Sequence, residues 1–158
     1  MNSHVIHILS SALVLLGWVQ TATAELSTPL QQVLDTEFDT IARIEKLPTG
    51  VRKLLPVGMA NPTEKFDATD IDTGKPSRRL IVAGHSSRCD FVCYEHGGIG
   101  YHLHLVIFSN GSVGTHRIFE GRMLKDAKDA ATVVDIKRLI RSGDIPDETK
   151  QCEKHPGY

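Results

Sequence analysis

Between residues 79 and 119 the apolar positions fall into short runs separated by small and polar breaks, a pattern of strands rather than helices. Four segments emerge, at 79–85, 90–96, 101–108 and 113–119. The breaks are Ser86-Ser87, then Gly97-Gly98-Ile99-Gly100, then Asn110-Gly111, the last a strong signal for a two-residue type I′ turn. Links this short join neighbouring strands antiparallel, so the segment predicts a four-stranded meander.

Helical periodicity flanks it on both sides. Thr28-Pro29-Leu30-Gln31 is a helix start, with Thr28 as N-cap, Pro29 at the first helical position and Gln31 closing a capping box. Leu30, Val33, Leu34, Phe38, Ile41 and Ile44 then form one apolar stripe that ends at Pro48-Thr49-Gly50, with a short further turn over 51–55. A second helix, capped by Asp126 or Asp129, carries Ala130, Val133, Val134, Ile136, Leu139 and Ile140 and stops at Gly143. Residues 58–77 hold prolines, Gly74 and four acidic residues without periodicity, which predicts a long surface loop. Its Asp70-Ile71-Asp72-Thr73-Gly74 matches only a fragment of a calcium loop, and capping or turn-forming carboxylates explain it better. The expected fold is α+β: an N-terminal helix, a four-stranded antiparallel meander, and a C-terminal helix packed on the sheet.

The N-terminal residues change the setting. Residues 1–24 contain no Lys, Arg, Asp or Glu, carry an apolar run over 5–19, and end with Ala22 and Ala24 in small-x-small spacing. This predicts a cleaved signal peptide and a secreted or periplasmic protein with no stable membrane anchor. A single domain over 25–158 is expected, with 144–158 as a tail. The chain has 18 Lys+Arg against 19 Asp+Glu, a net charge of −1, so no bulk field attracts nucleic acid and none is expected as a partner. Export also favours disulfides. Cys89 and Cys93 on one extended segment lie about 13 Å apart and cannot bridge. Cys152 is therefore expected to pair with one of them, Cys89 in preference, a bond worth roughly 3–4 kcal/mol.

Candidate chemistry depends on strand register. With Gly98-Ile99 and Asn110-Gly111 as hairpin tips, Glu95 lies opposite His102, Cys93 opposite His104, and Arg117 on the other side of His104. Glu95, Cys93, His102, His104 and Arg117 then share one face with Phe91, Val106, Phe108 and Phe119, while Val92, Tyr94, Leu103, Leu105, Ile107 and Ile118 form the core face. His96 and His116 fall on the core side. Three uses of the polar face compete. It is a set of solvated cross-strand pairs. Alternatively it is a catalytic group for phosphodiester cleavage, with Glu95 as base, His102 or His104 as acid, and Arg117 stabilising the anionic transition state. The third use is metal binding, with His102 and His104 on zinc or copper and Glu95 or Cys93 as third ligand. A Cys93 thiol left unpaired beside His104 would be a nucleophile. Small size, export and an incomplete catalytic motif make a binding or inhibitor-type module the leading expectation. Its partner would be a protein or small molecule of the cell envelope; a small hydrolase or metal-binding protein is the alternative.

Overall fold

The computed structural model describes residues 26–69, 73–98, 100–112, 114–143 and 145–149. The expected signal peptide, Asp70 to Asp72 of the acidic loop, and Cys152 with its expected pairing lie outside the described residues. Among the described residues no helix is long and apolar enough to cross a membrane.

The architecture is α+β, with helices packed on a mostly antiparallel sheet. Among the described residues the sheet has six strands rather than four: β1 (Asp39–Ile41), β2 (Met59–Ala60), β3 (Arg78–His85), β4 (Cys89–His96), β5 (His102–Gly111) and β6 (Gly114–Met123). The order is β1-β3-β4-β5-β6, and β2 pairs parallel to β3. Strands β3 to β6 are the meander that the apolar runs predict: β3 and β4 begin one residue earlier than expected, while β5 and β6 begin one residue later and run on by three and four residues.

The added strand β1 comes from the stretch expected to be helical. Helix α1 (Thr28–Leu34) has Ser27 as its N-cap and stops at Asp35, where the Thr36 hydroxyl donates back to the Gln32 carbonyl at 2.7 Å. Beyond it Thr40 and Ile41, β-branched residues suited to strands, pair with Gly84 and Ala83 at the open edge of β3. Phe38 meets Phe91 edge to face, with centroids 5.0 Å apart. Cross-strand pairing and this aromatic contact outweigh the helical spacing of Phe38, Ile41 and Ile44.

Both faces of the sheet are covered, more fully than the partial cover that apolar residues on the polar face imply. On one face α1 and α3 (Val133–Arg141) bury Phe91, Cys93, Leu103, Leu105, Ile107, Phe119 and Met123. Helix α2 (Thr49–Leu54) and its flanks cover the other, placing Leu47, Val51 and Leu55 against Leu80, Val92, Tyr94, Val106 and Phe108. The consequence is that residues Cys89 to Glu95 are buried without alternation. The cap of α3 is Thr132, which exchanges reciprocal hydrogen bonds with Asp135; the expected cap Asp126 instead precedes a short 3-10 turn over Ala127–Ala130 that contains Asp129. The loop after β2 is ordered where described. Asp67 is 8 % exposed and accepts hydrogen bonds from Thr69 and Thr73, and the loop docks on the β4–β5 connection through Gly97 N to Ser77 O and Gly98 N to Ala68 O.

Candidate metal centre

The connection between β4 and β5 decides which side chains meet. It runs from Gly97 to Tyr101, with Gly98 at φ 103° and Gly100 at φ 80°, backbone states that suit glycine. An odd number of linking residues centres the reversal on a residue, not between two. His96 therefore lies opposite His102, Tyr94 opposite His104 and Val92 opposite Val106. This is a one-residue difference from the expected register, and it moves every β4 side chain to the other face relative to β5.

Glu95 consequently lies opposite Leu103, on the α1/α3 face and away from both histidines. There it is 3 % exposed, accepts from Arg79 Nε at 2.6 Å and from the Tyr101 hydroxyl at 2.8 Å, and its partner Arg79 lies over the Phe66 ring. Cys93 likewise lies opposite Leu105 and not beside His104. It is fully buried, and desolvation raises its thiol pKa far above the range in which a thiolate forms, so it is a core residue and not a nucleophile. Cys89 is also a buried free thiol. The next reversal differs too: Gly111 pairs with Gly114, so Asn110-Gly111 belongs to β5 and is not the tip. A bulge between Ile107 and Phe108 then places Arg117 opposite Phe108 and Arg122 opposite His104. His116 lies opposite Ser109 and is exposed.

His102 and His104 remain together, and His96 joins them. One ring nitrogen from each of the three lies within 4.8 Å of the others. His104 is 4 % exposed and His102 9 %, and His96 is half-buried, so the cluster sits at the rim of the α2 face. The Tyr94 ring stacks on His104 at 4.7 Å with planes 8° apart, fixing that imidazole's plane.

The hydrogen bonds set the tautomers. His104 Nδ1 is 3.0 Å from Glu120 Oε1, and His102 Nδ1 is 2.6 Å from the Gly100 carbonyl. Glu120, 4 % exposed, also pairs with Arg117, whose other nitrogen donates to the Leu54 carbonyl. An oxygen acceptor opposite Nδ1 calls for a proton there, which in a neutral ring leaves Nε2 bare. Both bare Nε2 atoms point at each other at 2.8 Å. Two facing lone pairs at that distance repel unless a cation sits between them. A third proton is one solution: burial, the largest influence on His102, lowers its pKa and opposes the charge on that ring, whereas Glu120 beside His104 Nδ1 is an acidic partner for a charge on the other. His96 is pushed down to about 4, first by burial and then by the charges of Arg78, the two other histidines and Arg122. These two rings are thus neutral near pH 7, the form that can ligate a metal.

Three clustered imidazoles, two of them held from behind by a carboxylate and a backbone carbonyl, are the kind of ligand set that zinc sites use. Two nitrogens on a tetrahedral zinc at about 2.0–2.1 Å are about 3.3 Å apart, so binding asks the His102 and His104 rings to part by roughly half an ångström. Sequence reasoning paired His102 with His104 and missed His96 as the third imidazole of the cluster, with Glu120 and Tyr94 packed against His104. The signal for His96 was the pair Gly98 and Gly100, which favours a longer, odd-numbered reversal over a two-residue tip. Compared with protein-family models, with curated proteins and with solved structures, the chain matches none. Fold and site together define an α+β chain with a three-histidine candidate metal centre on its sheet.

Proposed function

We propose that this is an exported metal-binding protein that holds one zinc ion through His96, His102 and His104. The observation that carries the reading is the 2.8 Å approach of two Nε2 atoms whose rings both present Nδ1 to oxygen acceptors. A divalent cation turns that repulsion into two coordinate bonds. Glu120 supports the reading as the orienting carboxylate behind His104, and Arg117 as the residue that holds Glu120 in place. Imidazole ligands and tetrahedral spacing suit zinc, and the same donors take copper(II), which ranks above zinc for nitrogen sites.

The test is metal content and affinity of the exported protein. One equivalent of zinc or copper per chain by elemental analysis, with uptake abolished in the His102→Ala/His104→Ala double variant that still folds by circular dichroism, is the expected result. A chain that takes up neither ion after growth with both and after direct titration overturns the proposal.

A further inference from the structure

The three ligands leave a tetrahedral ion one open position, and the residues flanking it on the sheet are basic. Arg78 is the cross-strand partner of His96 from β3, and Arg122 is the partner of His104 from β6, so the two guanidiniums bracket the cluster on the same face. Both act on His96 through their charge. Arg122 Nε lies 3.2 Å from Glu148 Oε2, an ion pair without hydrogen-bond geometry. Arg78 is different: its Nε is buried and has no hydrogen-bond partner among the described residues. A buried donor without an acceptor calls for an explanation, and a bound ligand is one.

Neutral imidazoles do nothing to offset the charge of a divalent ion, Glu120 behind His104 is engaged by Arg117, and Glu148 offsets only Arg122, so a metal here repels Arg78 directly and Arg122 in the part that Glu148 leaves. An anion in the open position relieves both repulsions and gives Arg78 an acceptor. We infer that the fourth position of the proposed centre takes a small oxyanion, a carboxylate or phosphate group, clamped between Arg78 and Arg122. This rests on the metal reading and extends it to the ligand class the site recognises.

Cobalt(II) loaded into the full-length exported protein reports on both levels, because its visible spectrum responds to a change of fourth ligand. Acetate and inorganic phosphate are titrated separately at constant ionic strength set with perchlorate. The expected result is a saturable spectral change with at least one of them, weakened tenfold or more in Arg78→Gln and partly restored in Arg78→Lys, while cobalt stoichiometry stays at one. Acetate and phosphate affinities rank the two oxyanions. A cobalt-loaded protein whose spectrum ignores both, or whose anion affinity is unchanged from wild type in Arg78→Gln or in Arg122→Gln, overturns this inference and leaves the metal site standing. Failure to bind cobalt, zinc or copper overturns the metal reading itself.

Discussion

His102 and His104 aim their Nε2 atoms at each other across 2.8 Å, while Gly100 and Glu120 hold the opposite nitrogen of each ring. A hydrogen bond between two neutral imidazoles needs one donor and one acceptor. Here the outer partners claim the single proton of each ring. A bond between the two Nε2 atoms then needs an added proton, and burial argues against carrying its charge on His102.

Removing the carboxylate behind His104 is expected to weaken the metal without removing a ligand. Glu120→Gln should lower zinc affinity about 10- to 100-fold. Competition against a chromophoric chelator measures it, and unchanged affinity would show that Glu120 does not orient the ring.

Metal binding should stabilise the fold by mass action. At free zinc 100 times Kd the gain is about 2.7 kcal/mol, a rise in Tm of roughly 10 °C for a domain of this size. His96→Ala should lose most of that rise while keeping the Tm of the metal-free protein within a few degrees, since His96 is only half-buried. Differential scanning calorimetry with and without zinc distinguishes the outcomes.

Neither Cys89 nor Cys93 should react with a thiol reagent while the protein is folded. Both are 0 % exposed, and desolvation raises both thiol pKa values. Peptide mapping after brief native alkylation should find both unmodified, and modification of Cys93 ahead of unfolding would contradict its place in the core.

Asp67 should give the protein a pH-dependent contribution to stability. Hydrogen bonds from Thr69, then Thr73, hold its pKa down to about 2 from the ordinary 3.8. A carboxyl whose folded pKa is depressed stabilises the fold above its unfolded value and loses that contribution as pH falls towards the folded one. The Tm difference between wild type and Asp67→Ala should thus be constant above about pH 5 and shrink between pH 4 and pH 2. A difference that does not change over that range would rule out the depressed carboxyl.

The docking of the loop on the β4–β5 connection should be sensitive to one methyl group. A Cβ at Gly97 would lie 2.1 Å from the Asp67 carbonyl oxygen and 2.6 Å from Ala68 Cα, both backbone atoms that cannot rotate away. Gly97→Ala is expected to destabilise by about 1–3 kcal/mol, measured by urea unfolding. Because the same connection sets His96 against His102, zinc affinity should fall with it.

The four central strands and the C-terminal helix were legible because each carries its own signal: apolar runs between Gly, Ser and Asn breaks, or a helical repeat ending at Gly143. The stretch 35–46 was misread because its apolar spacing also fits a helix, and only the open edge of β3 makes a strand of Asp39 to Ile41 the better partner. The candidate site was half legible. The His-x-His pair of His102 and His104 lies on one strand, so no register error separates it.

What joins that pair from other strands was a matter of parity. Alternation fixes register when one face is wet, but β4 is buried on both faces over Cys89 to Glu95, so the apolar pattern gives no preference between two registers. The sequence by itself determined the strand segments, the paired imidazoles and the helical flank. Only the tertiary structure decided that His96 and Glu120 complete the cluster while Glu95 turns away, because a reversal of odd length is stabilised by backbone contacts to a loop twenty and more residues earlier in the chain.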